Sequence, residues 1–284
     1  MTSTTDVDLE QFETEWEQWH HRHERRRNDP LGFHAITGLY WLTEDPVALA
    51  DAPGRWSIGP EGAVVELAEG ETLTHDGTVI RGRHAFGELA ERAGILLHFS
   101  DGPVAGAIEL AKRGGFTIVR PRRSDHPFLA AYTGTPAYDP HPRWRVDAAF
   151  VAFDEPEPTE VGAAVEGLTH VYDAPGVLRF ELDGGPRDLL AFSAGAEHLL
   201  VLFRDETSGV TTYAANRSIL VPAPDAEGRT TIDFTRATNL PCAYTDHATC
   251  PLPPSRNHLP VAVEAGEKTP LDRVRADAVP VRRS

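Results

Sequence analysis

No apolar run in this sequence approaches the roughly 20 residues needed to cross a bilayer. Its opening stretch, MTSTTDVDLEQFETEWEQW, is acidic and carries no apolar signal core. A cytoplasmic location with no membrane partner is therefore expected. Also missing are a Walker-type phosphate loop, a GxGxxG after a strand, a GxSxG elbow and an HExxH pair. Their absence removes several large enzyme classes and leaves no cofactor to expect, but it does not touch enzymes whose catalytic groups are scattered. Lysine is nearly missing: Lys112 and Lys268 stand alone among 27 basic residues. The arginine bias, with abundant alanine, glycine and proline, fits a GC-rich coding bias better than anion binding. Against those 27 stand 43 acidic residues, for a formal charge of −16. Such a surface repels nucleic acid and anionic lipid, so neither is expected as a partner.

What is present is an ordinary foldable mixture, 40% hydrophobic and 25% charged, long enough for one large domain or two small ones. Leu9, Phe12, Trp16, Trp19 and His23 recur at three and four residues, predicting an amphipathic helix over 6–28 that docks on the protein. Pro30 ends it by disfavouring helical geometry at Asp29. The string HHRHERRR at 20–27 is read as the solvated end of that helix, its arginines favoured by the C-terminal dipole. Short alternating runs follow, among them RWSIG, AVVELA, GTVIRG, GILLHFS, FTIVRPR, WRVDAAFVAF, HLLVLFRD and GRTTIDFT. Asp76-Gly77 and Asp101-Gly102 are hairpin turns between them. TTYAANRSILV is read as a further strand, placing Tyr213 and Arg217 on one face.

The fold class expected is mainly β, with antiparallel β-sandwich or barrel-like lobes and an N-terminal amphipathic helix. The helix occupies 1–30, one β-rich lobe 31–153, a second 161–269, and a poorly ordered tail 270–284. The acidic, proline-bearing DEPEPTE at 154–160 is either a linker between lobes or a hairpin loop.

Chemistry concentrates in PCAYTDHATCPLPPSRNHLP, residues 241–260, which holds both cysteines. Cys242, His247, Cys250 and His258 offer four zinc-type ligands, although neither the CxxC nor the HxxxH pair of common zinc modules occurs. Cys242 with a nearby histidine is a possible nucleophile if its pKa is lowered. A disulfide is disfavoured in a cytoplasmic chain. The fourth reading is a stiff loop, with Pro251, Pro253 and Pro254 fixing an extended path and the thiols buried as small apolar groups.

The surrounding polar residues fit a ligand-framing loop over a β scaffold. Arg217 would clamp an anion through its fork. Tyr213 and Tyr244 would form walls, and Asp233, Asn239, Asn257 and Glu267 would set polarity, with Cys242 among them. The function expected is recognition of a small polar or anionic ligand, with or without hydrolysis. The alternatives are a structural or assembly role for the loop, and a zinc- or cysteine-dependent hydrolase.

The segments FRDETSGVTTYAANRSILV and DFTRATNLPCAYTDHATCPLPPSRNHLPVAVEAGEK, with GLYWL at 38–42 and WRVDAAF at 144–150, resemble a bacterial and archaeal family, domain of unknown function 1684. Thr235 and Leu240 depart from its pattern, where Asn and Pro stand, and His247 and His258 are not part of it. The resemblance implies no reaction or ligand. It singles out Asp233, Asn239, Cys242, Tyr244, Cys250, Asn257 and Glu267 as positions that matter.

Overall fold

Apolar alternation makes the antiparallel strand the dominant element, and the computed structural model, which describes residues 8–275, is mainly β with one long N-terminal helix. Two compact units divide it. The first comprises Met1–Glu24, Gly134–Ala243 and Cys250–Arg273; the second comprises Arg25–Thr133, Tyr244–Thr249 and Val274–Ser284. Residues 6 and 7 of the expected helix and 276–284 of the expected tail lie outside the described residues.

Helix α1 runs Leu9–Arg27. Its less exposed stripe follows the helical period through Phe12, Trp16, Trp19, His20, His23, Glu24 and Arg27. Leu9, expected on that stripe, is 55% exposed. The second half of the stripe is polar, so HHRHERRR is not simply a solvated end.

In the second unit the strands are β1 (Tyr40–Trp41), β2 (Val47–Ala48), β3 (Arg55–Gly59), β4 (Gly62–Glu66), β5 (Leu73–His75), β6 (Thr78–Ile80), β7 (Arg83–Ala85), β8 (Gly94–Asp101), β9 (Val104–Arg113) and β10 (Phe116–Arg123). They form a sheet ordered β1-β10-β9-β8-β5-β6 and a smaller one ordered β2-β3-β4-β7. One core joins both, with Trp56 and Val65 from the small sheet packed with Leu97, Ile108 and Val119 from the large one. The Asp76-Gly77 turn has positive φ at both residues, which the tight β5–β6 hairpin requires. A short helix, α2 (Pro127–Ala131), closes the unit's longest segment.

The first unit holds β11 (Arg145–Gly162), β12 (Thr169–Leu182), β13 (Gly185–Ser193), β14 (His198–Asp205), β15 (Arg217–Pro222), β16 (Arg229–Asp233) and β17 (His258–Leu259). Their order is β15-β14-β13-β12-β11-β16, with β17 parallel to β14. The edge strands β15 and β16 come together, giving a nearly closed barrel, and Ser218 bridges Thr238 just beyond β16. Alternation along β14 sends Leu199, Val201 and Phe203 into the main core and Leu202 into a second cluster with Phe192 and Tyr172.

Residues 154–160 are neither linker nor loop, because they lie inside β11. Pairing with β12 shifts register between Ala152 and Glu157, so the stretch contains a bulge. Unpaired bulge positions tolerate the missing N–H of Pro156. The segment before β15 also differs from expectation. Residues 206–216 form turns anchored on the Thr207 carbonyl, so Tyr213 shares no strand face with Arg217. Among the described residues, no helix is long and apolar enough to cross a membrane.

Candidate functional site

Glycine sets up the centre of the site. Gly266 has φ of 73°, and an added Cβ would lie 2.5 Å from the Ala237 carbonyl oxygen. Only glycine fits there without strain. The reversal lets the Glu267 N–H donate to Ala237 O at 2.9 Å and brings the Glu267 side chain onto Asn239, whose N–H donates to Glu267 Oε2 at 2.6 Å. The Asn239 amide nitrogen donates to Lys268 O at 2.8 Å. Glu267 is thus an ionisable group, 1% exposed, whose carboxylate accepts from the Asn239 backbone N–H.

Helix α1 supplies the facing groups. His20, His23 and Glu24 are spaced three and four residues apart, so they stand on one face. His23 Nε2 lies 3.5 Å from Glu267 Oε1. Ligand atoms of His20, Glu24 and Glu267 all lie within 4.8 Å of one another. The helix is held in register by Trp16, whose indole N–H donates to Thr235 O at 2.8 Å. His20 stacks on Trp16 with centroids 4.7 Å apart, and His23 stacks on Trp19 at 5.4 Å. The Thr135 N–H donates to Glu24 Oε2 at 3.2 Å.

The residues singled out in the sequence divide sharply by role. Arg217 and Glu267 do meet, since Arg217 Nη1 donates to the Glu267 carbonyl at 3.5 Å. Arg217 is nevertheless 1% exposed and no open anion clamp. Its Nη2 pairs with Asp205 Oδ2 at 2.7 Å and donates to Val263 O at 3.1 Å, Nη1 also reaches Ala265 O, and the guanidinium lies over the Phe203 ring. Asn257 is fully buried between diverging strands and bonds only backbone. Its Oδ1 accepts from Leu190 N–H at 2.7 Å, and its Nδ2 donates to Leu190 O and Leu202 O at 2.9 and 2.8 Å. Asp233 caps the 3₁₀ turn Phe234–Arg236 by accepting from Thr235 N–H at 3.1 Å.

Tyr213, Cys242 and Cys250 form a second cluster. The Tyr213 hydroxyl donates to Cys242 O at 2.9 Å, Arg273 donates to both, and Cys242 N–H donates to Cys250 Sγ at 3.2 Å. A hydrogen bond from Cys250 holds the Cys242 thiol below its ordinary value, helped by Tyr213 and the Arg273 charge and opposed by burial. Burial pushes the Tyr213 phenol up, as does the neighbouring thiol, against the Arg273 hydrogen bond. Tyr213, Leu252, Pro253 and Arg204 also line an open groove of about 440 Å³.

The four zinc-type ligands do not assemble as a set. Both cysteines are free and buried, whereas the half-exposed His258 lies 3.6 Å from Glu206. Among the described residues, His20, Glu24 and Glu267 form the group able to hold an ion. Tyr244 and His247 belong to the second unit. There Tyr244 packs on Phe33, His34 and Tyr132 beneath the Arg27 guanidinium, and burial pushes the His247 imidazole down.

Sequence reasoning missed His20 and Glu24 because a run of histidines and arginines hides its own periodicity. The signal was the continuation of the Phe12–Trp16–Trp19 stripe at three- and four-residue steps.

Fold and site together define a class: a nearly closed antiparallel barrel whose return segment carries a buried carboxylate toward an N-terminal helix. The chain belongs to the family described as protein of unknown function (DUF1684), whose family model matches residues 130–268. Glu267 falls inside that match and the helix groups outside it. An uncharacterized protein of Haloarcula marismortui, solved by solution NMR, is 38% identical, with 51% of this chain and 81% of that one covered and a TM-score of 0.43. No curated protein matches.

Proposed function

We propose that the protein recognises a small polar ligand at the face shared by α1 and Glu267. One observation carries this reading: imidazole and carboxylate atoms of His20, Glu24 and Glu267 converge within 4.8 Å. Convergent ionisable groups are costly to assemble and are typical of sites rather than of strand packing. Two carboxylates select a cation or hydrogen-bond donors, so the ligand is an amine, a polyol or a cation rather than an anion. The charge of −16 supports a partner other than nucleic acid or anionic lipid. If water is activated here, Glu24 or Glu267 is the group in reach to act as base.

Ligand-detected NMR with a panel of small amines, amino acids and polyols tests this on the full chain. Saturation transfer to at least one class is expected in the wild type and not in Glu24→Gln or Glu267→Gln. Equal transfer in all three proteins would overturn the reading. A structural role is favoured by a different observation, that Arg217, Asn257 and Asp233 all bond within the protein. It predicts variants that lose stability and no binding to lose.

A further inference from the structure

We infer that His20, Glu24 and Glu267 hold one divalent transition-metal ion. The inference deepens the reading just given and shares its location. His20 and Glu24 are four residues apart on α1, one turn above the other on one face, and Glu267 enters from the return segment behind Gly266. Two donors bound to one tetrahedral zinc at about 2.1 Å lie roughly 3.4 Å apart. Atoms already within 4.8 Å of one another reach that spacing by small side-chain rotations.

Charge gives the second argument. A divalent ion matches two carboxylates and one neutral imidazole.

The supports of the three groups form the third argument. Ligating carboxylates and imidazoles are usually oriented by further hydrogen bonds or packing. Here Asn239 N–H holds Glu267, Thr135 N–H holds Glu24, and His20 is stacked on a tryptophan itself pinned to Thr235. His23, 3.5 Å from Glu267, is a positioning residue for that carboxylate. One imidazole and two carboxylates suit zinc or manganese over calcium or magnesium, which prefer all-oxygen sets. Three protein ligands leave a coordination position open to water or to a donor of the bound ligand.

The test uses full-length protein stripped with chelator and titrated with zinc chloride by calorimetry, with elemental analysis after desalting. One equivalent is expected in the wild type, with affinity falling more than about 100-fold in His20→Ala and in Glu24→Gln, beyond what loss of an outer-shell partner costs. Cobalt(II) loaded into the wild-type protein gives a readout independent of how the variants fold. Ligand-field bands without a thiolate charge-transfer band are expected. Absence of stoichiometric zinc, retention in both variants, or a thiolate band pointing to Cys242 and Cys250 would overturn the assignment. Protein that binds a small ligand but no zinc refutes the metal alone; protein that binds zinc and no small ligand refutes the ligand reading alone.

Discussion

Arg217 and Asp205 form an ion pair of 2.7 Å whose side chains are 1% and 0% exposed. The pair is the hub of the barrel's C-terminal closure. Asp205 Oδ1 also accepts from Thr207 N–H at 2.7 Å and Val263 N–H at 3.3 Å, so one carboxylate ties the end of β14 to both the following turn and the return segment. Removing one partner of such a pair leaves a buried charge uncompensated, which costs about 3–5 kcal/mol. Arg217→Ala is therefore expected to lower unfolding free energy by that amount in urea titrations. Arg217→Lys is expected to recover only part of it, because an ammonium cannot serve Asp205 and several carbonyls with one planar fork. A loss under about 1 kcal/mol, the range of a surface pair, would show that the hub does not hold the segment.

Much of this architecture was readable from residues alone. The alternating runs specify their strands because a half-buried sheet requires period two, and Asp76-Gly77 specifies its turn because few residues accept two successive positive φ values. Two regions were not readable, for a physical reason common to both. In 154–160 and in 206–216 the backbone leaves regular geometry, and local composition does not show whether an irregular stretch interrupts a strand or connects two. The same limit explains Arg217. A guanidinium suited to an external anion is equally suited to an internal aspartate, and only the tertiary position of Asp205 decides. Glu267 was found through the pattern around Gly266, while its helical partners were concealed in a charged run.

Acid should weaken the second unit through Glu109. Burial alone would push this carboxyl up, but the charges and hydrogen bonds of Arg120 and Arg122 overcome that and hold it at about 2, against 4.5 for the free group. The folded value is depressed, so its contribution is complete above the unfolded value and is lost as pH falls from about 4.5 toward 2. The window corresponds to stability on the order of 3 kcal/mol. Glu109→Gln is expected to be less stable at neutral pH and to show a flatter decline below pH 4.5. Chemical denaturation at a series of pH values checks both, and an unchanged acid slope would contradict the assignment.

The thiol pair makes a spectroscopic prediction. Cys250 lowers the Cys242 thiol, with Tyr213 and Arg273 assisting. Cys250→Ala and Tyr213→Phe are each expected to move the Cys242 titration to higher pH, followed by thiolate absorbance. Both cysteines should react with a thiol reagent in unfolded protein without prior reductant, since both are free. A titration that does not move in Cys250→Ala would show that the sulfur contact has no electrostatic consequence.

Asn257 allows the strictest test of how the cysteine-proline block is anchored. β13 and β14 pair only at Phe192–Leu200 and Ser193–Leu199 before they separate. The gap leaves Leu190 N–H, Leu190 C=O and Leu202 C=O without strand partners, and the single amide of Asn257 satisfies all three. Each buried backbone group left unsatisfied costs about 1–3 kcal/mol. Asn257→Ala is thus expected to destabilise the protein by at least about 3 kcal/mol, one such penalty for each of the three groups. Asn257→Asp keeps the acceptor for Leu190 N–H but turns two donor contacts into carboxylate–carbonyl repulsions, so it should be no better than alanine. Hydrogen exchange at Leu190 gives the local readout. Its amide should be among the slowest in the wild type and lose protection in Asn257→Ala, while in Asn257→Asp it retains an acceptor. Wild-type protection in the alanine variant would mean that the strands close the gap by themselves and that the block is not anchored there.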